Sequence, residues 1–332
     1  LCCGVGPVEA AVATTAALFI GLGAVHLFKP GIGIELGAST EAGSLLASSQ
    51  TTLAGVLEHT VPESIVEAMA KNETLQIVFF SAMFAMALMQ VKGRPKELMI
   101  EVLDSLTQVM FKFTALVMAY APIGIAAALG VTVGKNGLGV ILSLGKLVLT
   151  LYAALIVFVL VVMIPVALIA RINIKKFWRW TREPWLIAFT TASSEAALPL
   201  ALENMEKYGV PRRIVSFVLP TGYSFNLDGS TLYLAVASIF VAQAAGIHLD
   251  LTTQLLMMLT LMLTSKGVAA VPRASLVILS GTLAQFGLPL EGIAVILGVD
   301  AFMDMARTSI NLLGNCLASA VMARWEGELE EA

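Results

Sequence analysis

Asp300, Asp304, Arg307, Asn311 and Asn315 follow one another at steps of four, three, four and four residues, with Thr308 beside the arginine. That spacing lines one face of an α-helix. The segment carrying them, about residues 292–323, is otherwise apolar and exceeds the roughly 20 residues that a bilayer crossing needs. A charge at mid-bilayer costs roughly 2.5–3.5 kcal/mol on insertion scales. The stripe must therefore face protein or water rather than lipid. A buried stripe with both a carboxylate and a guanidinium suits a ligand that carries both signs of charge. The structural alternative is an internal Asp304–Arg307 ion pair that only ties helices together.

Three other polar islands interrupt apolar sequence. Thr190-Thr-Ala-Ser-Ser-Glu-Ala-Ala-Leu-Pro199 lies between two apolar halves of about ten residues, each too short to span. Residues 185–206 therefore read as a re-entrant hairpin whose tip, Ser193-Ser194-Glu195, points into a polar cavity; the alternative is a surface loop between amphipathic helices. Residues 264–275 repeat that layout between the apolar halves of about 252–286. The span 214–245 is broken by Pro220-Thr-Gly-Tyr-Ser-Phe-Asn-Leu-Asp-Gly-Ser-Thr231. Asn226 and Asp228 between Gly222 and Gly229 imply unwound backbone, where carboxylate and carbonyl oxygens suit a small hard cation; a packed Asp at a Gly-rich kink is the plainer alternative. Hairpin and broken span thus occur twice, over 185–245 and 252–323. Paired interrupted segments in corresponding positions point to a transporter site built from inverted repeats.

The elements that carry these islands are those of a polytopic, all-α membrane protein. Of the 332 residues, 58% are hydrophobic and 13% charged, with mean hydropathy +0.88, against about 25% charged in globular domains. The net charge of −3, with no basic stripe interleaved with aromatics, gives no nucleic-acid partner. Cys2, Cys3 and Cys316 have no metal-ligand spacing, and His26, His59 and His248 are scattered, so neither a transition metal nor a cofactor is expected. No Ser/His or His/Glu/His constellation accompanies the hairpin serines, which argues against an intramembrane enzyme. An ion channel would call for charge rings rather than one stripe of mixed sign.

Further spans are expected at about 7–28, 75–89, 97–131 with a kink at Ala121-Pro-Ile-Gly124, and 138–170. Residues 31–62, rich in Gly, Ser and Thr, read as a long loop. Basic turns at 92–96, 171–182 (with Trp178, Trp180 and Trp185) and 207–213 all fall on the cytoplasmic side by the positive-inside rule if 185–206 is re-entrant.

Asn226-Leu-Asp-Gly-Ser230 resembles the Asn-Met-Asp-Gly-Thr motif of the dicarboxylate/amino acid:cation symporters, the glutamate transporter family. Ser193-Ser194, Ser265-x-Gly-x-Ala-x-Val-Pro272 and Asp304-Met-Ala-Arg307-Thr-x-x-Asn311 fit the same family, in order, over about residues 8–325. The resemblance to bacterial proton/glutamate symporters implies an inner-membrane homotrimer with a cytoplasmic C-terminus. It implies a scaffold at 39–137 and an elevator-like transport domain made of 1–38 and 138–332. Family proteins carry two helices before the first span seen here, so those helices are expected to be missing from this sequence.

By the same resemblance, Arg307 would bind the substrate side-chain carboxylate and Asp304 the α-ammonium. Asn311, Thr308 and Ser230 would orient the α-carboxylate and amino group, closed over by Ser193, Ser194 and Val271 from the hairpins. Gly222, Asn226, Asn311 and Asn315 would surround one cation. Asn226 and Asp228, with Thr14 or Thr15, would form a second position, and backbone oxygens of Ser224, Ser265, Lys266 and Val268 a third. Asp304 together with Arg307 selects L-glutamate or L-aspartate. Two departures bear on the coupling ion. Sodium-coupled relatives have Asp where this chain has Asn315, and lost ligand charge weakens a hard-cation site. Glu195 at the hairpin tip is a carboxyl kept from water, which suits a proton carrier. Lys266 and Arg273 add positive charge, which also disfavours sodium. The expected activity is proton-coupled symport of acidic amino acids. The alternatives are sodium-coupled glutamate/aspartate or C4-dicarboxylate symport, with an anion channel behind them.

Overall fold

The computed structural model describes residues 2–32, 34, 61, 62, 64–70, 74–120, 139–264 and 274–330, with isolated residues between 121 and 138. Among them there is no β-strand. The helices are α1 (Cys2–Phe28), α2 (Ile65–Ala70), α3 (Thr74–Gln90), α4 (Arg94–Ala119), α5 (Gly139–Phe158), α6 (Ile164–Ile169), α7 (Ile174–Thr191), α8 (Ser194–Tyr208), α9 (Arg212–Phe225), α10 (Asp228–Ala244), α11 (Leu251–Thr264), α12 (Ala274–Gln285), α13 (Glu291–Leu297) and α14 (Asp300–Trp325).

The run Gly139–Ile169 is 31 residues long and apolar enough to cross a bilayer. Between α5 and α6 it widens into a π-helical turn at Val159–Met163, where Ile164 N–H bonds back to Val159. The cause is Pro165, which has no N–H and whose ring clashes with the carbonyl four residues earlier. Thr150 is buried on this helix and returns its hydroxyl to Lys146 O at 2.7 Å, so its polarity is met locally.

From Ile174 onward the basic stretch 171–182 is helix rather than a turn. Asn173 caps α7 by accepting from Lys176 N at 3.2 Å. From there one amphipathic helix runs to the tip, with Phe177, Thr181, Pro184 and Ala188 buried. The first arm of the pair thus begins at Ile174, not near 185, because the cap and the apolar face precede the tryptophans. At the tip Ala192 takes a left-handed φ of 49°, and Ser193 caps α8 by accepting from Ala196 N at 3.3 Å. Asn204 Nδ2 donates to Trp180 O at 2.9 Å and locks the arms together. Glycine at position 209, with φ 111°, ends α8 in the left-handed cap that residues with a Cβ rarely adopt.

α9 and α10 together cover 33 residues, broken only at Asn226 and Leu227. α10 is the centre of the molecule: every residue from Asp228 to Ala244 except Gln243 is buried. A helix enclosed on all sides must satisfy its polar groups from its neighbours. α1 packs along it, and α14 crosses it. α11 and α12 form the second helix pair. Asp250 Oδ2 accepts from Thr252 N at 3.0 Å to start α11. The last span is broken at Gly298 and Val299, between α13 and α14. A helix pair followed by a broken helix therefore occurs twice in chain order. α3 and α4 carry many exposed apolar side chains, among them Met83, Leu98, Val102, Val109 and Phe113. The long loop at 31–62, the kink at 121–124 and the second hairpin tip, 265–273, fall almost wholly outside the described residues.

Candidate functional site

The site is built along α14, which packs against α5, α7, α8, α9 and α10. All five residues of the stripe are buried: Asp300, Asp304, Arg307, Asn311 and Asn315. They form three layers, each completed by the broken helix α9–α10.

The first layer surrounds Arg307, which is 1% exposed. Its Nε donates to Asp304 Oδ1 at 2.8 Å, and its Nη1 to Asp300 Oδ1 at 3.4 Å. Its guanidinium lies over the Tyr233 ring, 4.0 Å from the centroid. Tyr233 also donates its hydroxyl to Asp300 Oδ1 at 3.1 Å, and Thr308 donates to Asp304 Oδ1 at 3.2 Å. The ion pair that the spacing allowed is thus formed, but it does not exhaust the arginine. Arg307 Nη2 is buried with no hydrogen-bond partner among the described residues. What this layer leaves unused among the described residues is the Nη2 donor of Arg307, held beside two carboxylates. A guanidinium binds carboxylates through paired donors.

In the second layer Asn311 caps α10. Its Oδ1 accepts from Gly229 N at 2.8 Å and Ser230 N at 3.3 Å, while its Nδ2 donates to Ser230 Oγ at 2.9 Å. The first N–H groups of a helix have no partner in their own chain turn. Here the neighbouring helix supplies one. The approach needs glycine at 229, since a Cβ there would lie 2.5 Å from Arg307 O.

In the third layer Asn226 Nδ2 donates to Asn315 Oδ1 at 3.0 Å. Asn226 Oδ1 and Asn315 Nδ2 are buried without partners among the described residues. Gly222 presses on the same amide: a Cβ there would fall 2.3 Å from Asn315 Oδ1. Beside this pair, Thr14 Oγ1 donates to Asp228 Oδ1 at 3.1 Å. Thr15 instead turns its hydroxyl to Met262 Sδ at 3.7 Å. The structure therefore brings Thr14, and not Thr15, to Asp228. Asp228 is the first residue of α10 rather than part of a wide unwound stretch.

Ser230, Asp304, Arg307, Thr308, Asn311, Gly222, Asn226, Asp228, Asn315 and Thr14 come together. Ser193 and Ser194 sit at the tip of the α7–α8 pair, and neither hydrogen bonds to α14 among the described residues. Glu195 is exposed on the first turn of α8, so this structure does not keep its carboxyl from water as the sequence led us to expect: the buried side of that turn is taken by Ser194 and Ala197. Ser224 lies on the last turn of α9. Ser265, Lys266, Val268, Val271 and Arg273 are outside the described residues. Tyr233 is the residue that sequence reasoning missed. It meets Asp300 across 67 residues of chain, and on an apolar helix it reads as ordinary core. Among the described residues no group of three or more metal-ligating side chains is gathered.

Broken helices that meet inside a mostly helical membrane protein, around a buried charged cluster with unused polar atoms, define a secondary transporter. The comparisons agree. The sequence matches the sodium:dicarboxylate symporter family over residues 8–325. It is 43% identical to the proton/glutamate-aspartate symporter of Escherichia coli K12, over 96% of this chain and 75% of that protein. It is 41% identical to the proton/sodium-glutamate symport protein of Geobacillus stearothermophilus, over 96% and 77%. It is also 40% identical to the C4-dicarboxylate transport protein of Pectobacterium atrosepticum, over 96% and 76%. The chain belongs to the sodium:dicarboxylate symporter family. It is an integral membrane transporter and not an enzyme.

Proposed function

We propose that the protein is a secondary symporter of L-glutamate and L-aspartate. The observation that carries this reading is Arg307, buried between two carboxylates with its Nη2 unpartnered among the described residues. An acidic amino acid has a carboxylate for that edge and an ammonium for Asp304. Thr308, Ser230 and Asn311 would orient its α-carboxylate, and Ser193, Ser194 and Val271 would close over it from the two hairpin tips. The relatives named for glutamate and aspartate support the same substrate class.

Coupling is assigned to protons, carried by Glu195. Asn315 supports this: its amide engages Asn226 where a carboxylate would favour a cation. Sodium, where it binds, would use Gly222, Ser224, Asn226, Asp228, Asn311, Asn315 and Thr14, with Ser265 and Val268. The helices bearing the site, 1–38 and 138–332, would form a transport domain with re-entrant hairpins. It would move as an elevator against a scaffold at 39–137, whose exposed apolar side chains suit lipid and a homotrimer interface. The basic segments and the C-terminus face the cytoplasm. Relatives named for C4-dicarboxylates support a second reading, in which Asp304 stays paired to Arg307 and takes no ammonium.

Uptake of radiolabelled glutamate and aspartate into proteoliposomes, with sodium and the proton gradient varied independently, tests this. The proposal expects flux driven by protons alone. Flux only with sodium refutes the proton assignment, and succinate uptake without glutamate uptake refutes the substrate.

A further inference from the structure

One polar group at the heart of the molecule has no duty in the reading above. Tyr223 of α9 is 4% exposed, and its hydroxyl is buried with no hydrogen-bond partner among the described residues. A buried hydroxyl left unpaired costs free energy comparable to a lost hydrogen bond, so a partner is expected in some state of the cycle. Tyr223 follows Gly222, which lies against Asn315, so the ring sits where α9 meets α14. α8 and α9 are joined by only Gly209, Val210 and Pro211 and pack against each other, so the first turn of α8, with Glu195, and the last turns of α9, with Tyr223, lie at the same end of that pair; Cys316 is on α14, which α9 also packs against.

Cys316 is a fully buried free thiol, a weak hydrogen-bonding group. Glu195 is exposed and makes no hydrogen bond or ion pair among the described residues. The other charged groups are placed elsewhere. Asp300, Asp304 and Arg307 of α14 bond to one another. On α7 the charged residues run from Lys175 to Glu183, and its tip-end turn carries only Thr190 and Thr191. Glu203, Glu206 and Lys207 lie at the other end of α8, and Arg212 and Arg213 at the other end of α9.

We propose that Tyr223 is the positioning residue of the proton site: its hydroxyl receives the Glu195 side chain when that carboxyl carries its proton. The inference rests on the reading of Glu195 as the carrier. A proton from water on the open side adds to a carboxylate oxygen and makes the neutral acid. Tyr223 keeps its own proton and donates it as a hydrogen bond to the acid's carbonyl oxygen. The neutral acid then crosses with an internal partner in place of water. On the far side the same proton leaves to water, and the carboxylate returns to its exposed position.

The test is Tyr223→Phe in the full chain, reconstituted in proteoliposomes at clamped potential, with uptake measured against pH. Removing one hydrogen bond to the protonated acid should shift the half-maximal pH of uptake by about one unit to the acid side. KM at saturating proton concentration should not change. Thermal stability should be equal or higher, because the lost hydroxyl has no partner among the described residues. In a Glu195→Gln background, Tyr223→Phe should add nothing. If Glu195→Gln abolishes the proton dependence while Tyr223→Phe leaves the pH profile in place, Tyr223 is a packing residue and this inference falls alone. If Glu195→Gln leaves the proton dependence intact, the carrier reading falls with it.

Discussion

Asp300→Asn separates the two duties of the carboxylates around Arg307. Asp300 is fully buried, and its Oδ1 takes both the Tyr233 hydroxyl at 3.1 Å and Arg307 Nη1 at 3.4 Å. Asparagine has nearly the same shape and keeps a carbonyl oxygen for the tyrosine, so only the charge is lost. Two charges 3.4 Å apart attract by about 5 kcal/mol at an effective dielectric of about 20, but the carboxylate no longer has to be desolvated. Arg307 also keeps its shorter bond to Asp304 at 2.8 Å. The net loss is therefore about 2 kcal/mol, within the range for hydrogen bonds to charged groups. Asp304 then becomes the sole counter-ion of Arg307 and is less available to a substrate ammonium. At 1.4 kcal/mol per tenfold, glutamate affinity should fall about 30-fold. Succinate, which has no ammonium, should lose much less. The assay is calorimetric or radioligand binding of glutamate, with succinate as competitor, on purified full-length protein. Folded Asp300→Asn protein that binds glutamate within twofold of wild type would refute the idea that Asp300 frees Asp304 for the ligand.

Three more outcomes follow from the other layers. Gly229→Ala would put a methyl 2.5 Å from Arg307 O and 3.0 Å from Asn311 Oδ1; overpacking of this kind costs about 1–3 kcal/mol, so Tm should drop and substrate affinity with it. Thr14→Val removes the hydroxyl that Asp228 accepts at 3.1 Å and should destabilise the fold by about 1–2 kcal/mol, read by thermal unfolding in detergent. Asn315→Asp sets a charge beside Asn226 Oδ1, which has no partner among the described residues, so sodium should raise its Tm and stimulate its uptake while leaving wild type nearly unchanged. A sodium titration that treats the two proteins alike contradicts that expectation.

Much of the site was legible in the chain because it obeys helical spacing. The steps from Asp300 to Asn315 placed five polar residues on one face, and all five are buried on one face of α14. The Gly-flanked Asn226-Leu-Asp228 marked the break in the span, and its position held to within a few residues. The start of α7 was not legible, because tryptophans and basic residues mark an interface as readily as a helix. It took the Asn173 cap to decide it.

By itself the sequence determined that this is a helical membrane protein of the sodium:dicarboxylate symporter family, with its charge concentrated in one late helix. Composition, period and motif are local properties, written in the order of residues along the chain. Only the tertiary structure decided how those charges are spent. Asn311 caps a helix 82 residues away in sequence, Tyr233 shares Asp300 with Arg307, and Thr14 rather than its neighbour reaches Asp228. Each of those choices is a contact between separate helices. Their relative rotation and depth follow from packing the whole bundle around α10, which no periodicity within a single helix encodes.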